Sequence, residues 1–124
     1  TAKLIMVDPL VSQELNSIRA SHPDGRVVML PADGNPLSAI AAELKAGTYS
    51  EVHIYALSKP GSIIFDEMSV IASEIGNYES LFREWKNLSA SSVTIHSNVL
   101  TSVPEGNTIV NMIAEYTGKN VIVE

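Results

Sequence analysis

The sequence predicts a three-layer αβα domain built on a mostly parallel sheet of about five strands, with a small β excursion after the third. Short apolar runs rich in β-branched residues recur at 4–7, 27–30, 52–57, 93–96 and 121–123. They are nearly continuous rather than alternating, as strands buried on both faces are. Segments with helical periodicity, punctuated by capping and breaking residues, lie between them. The chain has 124 residues and 45% hydrophobic content, enough for one packed core.

In chain order, Asp8 is placed to cap a first helix with Pro9 at its first position, and Val11, Leu15 and Ile18 share one face. Pro23, Asp24 and Gly25 then turn the chain into the second strand. Asn35 and Pro36 open a second helix with an inward stripe of Leu37, Ile40, Ala41 and Leu44. Gly47 suits a left-handed residue past its end. After the third strand, Lys59-Pro60-Gly61 forms a turn, and 62–66 and 68–71 form the β excursion. A third helix is expected from Ser73 to Leu88, with Ile75, Tyr78, Phe82 and Trp85 on one stripe. Gly76 weakens its first turn by ~1 kcal/mol relative to Ala. A last helix follows Ser102-Val103-Pro104-Glu105, which reads as a capping box, and ends at Gly118. The strand–helix order implies right-handed crossovers with helices on both faces. The whole of 1–124 is read as a single domain, and its ends suggest excision from a longer chain.

Composition narrows the chemistry. Fourteen acidic against eight basic residues give a net charge of -6, with no basic cluster, so nucleic acid and anionic membrane surfaces are poor partners. No apolar run approaches the ~18 residues of a membrane span. With no cysteine, disulfides, thiolate metal sites and cysteine nucleophiles are excluded.

Ligands of open α/β sheets gather at the carboxyl ends of the strands. Asp8, the 31–35 loop, 57–61 and 97–102 lie there. A phosphoacceptor role for Asp8 would call for further acids beside it, whereas Pro9 favours the helix-cap reading. The 31–35 loop contains a single glycine and no phosphate-binding pattern. The histidines are His22, His53 and His96. His53 and His96 lie within strands and could face one another, but no His-rich or acid-rich set shows metal-ligand spacing, so no metal and no cofactor are expected. His96 and Ser97 are adjacent on a strand and point to opposite faces, which argues against a hydrolytic dyad.

Several stretches taken together carry a resemblance: 4–8, 27–34, 40–44, Val52-His53-Ile54 leading into Lys59-Pro60-Gly61, the segment with Tyr78 and Trp85, and 116–121. In their order and spacing the chain resembles a caspase-like domain of unknown function found in very large bacterial surface and adhesin-type proteins. That group has a caspase–haemoglobinase fold, a version of the flavodoxin-like three-layer arrangement, and the resemblance spans essentially the whole chain. It implies a Ser-His-Gly end to the third strand and a Gly-Cys-Asn end to the fourth, the histidine activating a cysteine thiolate. Here Leu57 stands at the histidine position. The cysteine position falls on Asn98, or on Ser97 with a one-residue shift. The dyad is absent in either register.

The expected role is therefore that of a non-catalytic module, contacting other proteins or the adjacent domains of its own chain or serving as a structural domain. By resemblance alone, an extracellular or cell-surface location is favoured. The alternative is a small-molecule or peptide-binding domain that keeps the vacated cleft, lined by Asp8, Ser58, Ser97 and Asn98.

Overall fold

A computed structural model of the chain describes residues 2–124. Five parallel strands form the main sheet: β1 (Ala2–Val7), β2 (Gly25–Met29), β3 (Tyr49–Tyr55), β7 (Ser92–His96) and β8 (Asn120–Val123), ordered β2-β1-β3-β7-β8. Leu4, Ile5, Met6 and Val7 of the near-central β1 are at most 1% exposed, which explains why this strand shows no polar alternation. A separate antiparallel sheet, β4 (Leu57–Lys59), β5 (Ser62–Ile64) and β6 (Ser69–Ile71), forms the excursion. Leu57 therefore belongs to β4 rather than to the end of β3, where the sequence had placed it.

The helices are α1 (Leu15–Ser21), α2 (Pro36–Ala46), α3 (Glu79–Arg83) and α4 (Pro104–Thr117). They divide unequally between the two faces of the sheet. The chain steps from β1 to β2 in one direction and thereafter moves only in the other, which sends α1 to one face and the later helices to the opposite one. The core follows this division. Leu37, Ile40 and Leu44 of α2, Phe82 of α3 and Ile109 and Ile113 of α4 pack with Leu4, Met6, Val52, Ile54, Val93 and Ile95. On the α1 face a smaller cluster joins Ile5, Val7, Val11 and Ile18, with Leu15, Val27 and Tyr55 partly buried against it. Because strand side chains alternate, Glu51, His53 and Tyr55 of β3 face the α1 side while Val52 and Ile54 enter the main core.

The caps at Asp8 and Asn35 form as expected. Asp8 accepts from Leu10 N at 3.0 Å, and Asn35 accepts from Leu37 N at 2.8 Å. Gly118 ends α4 in the left-handed region (φ 66°), donating its N–H to Ala114 O.

Four local expectations are corrected. The segment after Asp8 begins as a 3-10 helix, Pro9–Glu14, kinked at Val11 (φ -114°, ψ 23°), and becomes α-helical only at Leu15. Gly47 is extended rather than left-handed; a Cβ there would meet the Tyr49 ring at 2.9 Å, so close approach is what requires glycine. The helix expected over Ser73–Leu88 breaks into a 3-10 turn, Ile75–Tyr78, and the short α3. Neither start has a side-chain cap, and Trp85, Lys86 and Leu88 each donate to a carbonyl three residues back, which tightens the exit into turns. Trp85 is fully buried and donates its indole N–H to Leu37 O, so tertiary packing overrides the helical pattern. The capping box at Ser102 does not form: Val103 is the N-cap without a side-chain bond, and Ser102 Oγ donates backwards to Val99 O at 2.7 Å. No helix among the described residues is long and apolar enough to cross a membrane.

Candidate functional site

The strand-end residues singled out from the sequence each make their own local contacts. Asp8, 1% exposed, uses both carboxylate oxygens: one accepts from Leu10 N and the other from Asp66 N at 3.1 Å. It caps the 3-10 helix and clasps the loop after β5. Leu57 is 43% exposed and pairs with Ile64, and the half-buried Ser58 pairs with Ile63. Ser97 is buried; its hydroxyl accepts from Leu100 N at 3.0 Å, and its N–H donates to Glu124 O at 2.6 Å. Asn98 beside it is exposed. A surface cavity of about 260 Å³ is lined by Gly34, Asn35, Glu67 and Met68 rather than by these residues.

Polar chemistry concentrates elsewhere, on the α1 face of the sheet. His53 on β3, His96 at the end of β7 and His22 on the C-cap of α1 bring one ring nitrogen each to within 4.8 Å of one another. These are all the histidines of the chain. His53 Nε2 lies 2.7 Å from Glu51 Oε1 and donates to it, since the carboxylate can only accept. In the neutral ring this leaves Nδ1 to accept from His96 Nε2 at 2.8 Å. His22 Nε2 shares a 2.7 Å hydrogen bond with the Tyr55 hydroxyl, and the Tyr55 ring stacks on His96 with centroids 3.9 Å apart. Glu124 Oε2 lies 4.0 Å from His96 Nδ1.

Electrostatics favours the uncharged form of His96 and His22. Burial, followed by the charges of His53 and His22, lowers His96 to about 4. Burial is also the main cause lowering His22, aided by His53 and Lys3 and opposed by Glu124 and Glu51. The hydrogen bond from His53 holds Glu51 below its usual range. The assembly is a set of imidazole nitrogens with one carboxylate orienting a member and a second nearby, the arrangement that metal-binding histidines use.

From sequence, His53 and His96 can face one another across adjacent strands, but nothing in it joins His22 to them. A His-rich set does exist in three dimensions, which removes the reason for expecting no metal. His22 arrives because α1 runs back along the sheet before the 23–25 turn. The available signal was the alternation of Glu51, His53 and Tyr55, a polar row on a strand otherwise read as buried on both faces.

The fold and these residues define a parallel-sheet α/β domain with a polar patch on its less covered face. The chain belongs to the family described as Domain of unknown function (DUF4347), which matches residues 4–124. Neither a curated protein nor a solved structure matches it.

Proposed function

We propose that this domain is a non-catalytic, caspase-like module of a larger bacterial surface or secreted protein, working through contacts with other proteins or with neighbouring domains. The carrying observation is the environment of Ser97. A nucleophilic hydroxyl needs an adjacent base to remove its proton. Here the Ser97 oxygen is buried as the acceptor for Leu100 N, and the neighbouring His96 ring is engaged with His53 and Tyr55. At the other vacated position, Leu57 presents an exposed aliphatic side chain that cannot act as a base. β8 lies at an edge of the sheet with Ile122 38% exposed, which offers an apolar and backbone surface suited to contact. The test is covalent labelling with a serine-reactive fluorophosphonate. The expected result is no modification of Ser97 under conditions that label an active serine hydrolase. Stoichiometric labelling that disappears in Ser97→Ala would overturn the proposal.

A further inference from the structure

We infer that His22, His53 and His96 form a binding site for a borderline divalent transition ion, zinc in the first instance, with a fourth coordination position left open. The inference is independent of whether the domain is catalytic.

The geometry lies close to what such an ion requires. Imidazole nitrogens bind zinc at about 2.0–2.1 Å, so two ligands of a tetrahedral site stand about 3.3 Å apart. His53 Nδ1 and His96 Nε2 are already 2.8 Å apart and share a proton. The three donor atoms lie within 4.8 Å of one another, so His22 needs to approach by roughly 1.5 Å at most. It sits on the C-cap of α1, beyond the last helical turn, and also lines a surface cavity of about 200 Å³ with Lys3, Ser21 and Asp24. That cavity is a route for the ion from solvent.

The outer partners are in place as well. Glu51 holds His53 Nε2–H and aims Nδ1 inward. When the ion takes His96 Nε2, the proton on that nitrogen leaves and Nδ1 carries the proton instead. The ring thus stays neutral and turns an N–H toward Glu124 Oε2, now 4.0 Å away. Tyr55 fixes the His22 ring through its hydroxyl and supports His96 by stacking. Three imidazoles without a thiolate or a directly ligating carboxylate suit zinc and its neighbours rather than magnesium or calcium. The bound ion would tie the end of α1 to β3 and β7, and its open position would take water or a donor side chain of a partner.

The test uses the 124-residue chain without a polyhistidine tag, stripped of metal by chelation. Calorimetric titration with Zn²⁺ is expected to give one saturable site of micromolar or tighter affinity, and Co²⁺ the intense visible absorption of a four-coordinate ion. Glu51→Ala, which removes an outer partner, should weaken Zn²⁺ binding roughly 10- to 100-fold. His22→Gln and His96→Gln should each weaken it further. His22 is only partly buried, so His22→Gln should retain the native far-ultraviolet circular dichroism and remain informative even if His53→Gln unfolds. Absence of saturation at millimolar Zn²⁺, a six-coordinate Co²⁺ spectrum, or unchanged affinity in the folded His22→Gln and His96→Gln variants would overturn the site.

Discussion

At the scale of single residues, Asp8 shows how one carboxylate can hold two pieces of the fold. It satisfies Leu10 N at a helix start and Asp66 N within the excursion, between β5 and β6, while almost entirely buried. Asp8→Ala leaves two amides without their acceptor and should lower stability by about 2 kcal/mol, the upper part of the range for lost caps. Chemical denaturation would measure this, and a loss under half of that would mean water replaces the carboxylate. This cap was legible from Asp8-Pro9 alone, because cap chemistry is local. The second bond, to Asp66, was not, because it depends on where the excursion folds back. His22 was illegible for the same reason: nothing near it in sequence indicates that its ring comes to rest against Tyr55 and His53.

At the scale of elements, two glycines separate packing from propensity. Gly106 lies in the first turn of α4, where an added Cβ would stand 1.7 Å from Leu100 O. Gly106→Ala must push α4 away from the preceding 3-10 turn, Leu100–Ser102, and should cost about 1–3 kcal/mol, as overpacking does. Gly76 has no atom within 4 Å of its added Cβ and no positive φ. Gly76→Ala should therefore stabilise by about 0.4–1 kcal/mol, mainly by restricting the unfolded chain. Thermal melts of the two variants would be expected to move in opposite directions; a shift of the same sign in both would contradict the contrast. The five strands of the main sheet were readable because continuous apolar runs mark buried parallel strands. The third helix was not, because the spacing of Ile75, Phe82 and Trp85 fits a helix as well as the turns that bury the same side chains. Lys119 shows a related limit. Its ammonium donates to Leu88 O and Ala90 O, tying the loop before β7 to the start of β8, and no sequence pattern marks a lysine for that use.

At the scale of the whole molecule, the unequal distribution of helices exposes one face of the sheet to a different use. Three helices cover the main core, whereas α1 alone covers the other side, and there the polar rows of β3 and β7 meet. The consequence for pH follows from the sign of the histidine shifts. His96 binds a proton less readily in the folded chain, at about 4, than at its ordinary 6.5, and His22 is shifted in the same direction. As pH falls below 6.5, the unfolded chain takes up protons that the folded chain excludes, so this contribution to stability is present above 6.5 and lost progressively toward 4. His53, His22 and Glu124 surround His96, and Glu124, the one acid among them, lies 4.0 Å from its Nδ1, farther than a direct hydrogen bond. Metal-free protein should accordingly lose denaturation free energy between pH 6.5 and 4; the histidine part of the loss levels off below, where protonation of Glu51, held under its usual range, continues it.

The convergence of three histidines on the α1 face is tested most directly by following each imidazole of the metal-free chain by NMR as a function of pH. The expected result is titration of His96 near 4 and of His22 below 6.5, with the His53 Nε2–H tautomer held by Glu51. Independent titration of His96 and His22 at 6.5, with freely exchanging tautomers, would contradict the cluster and everything built on it.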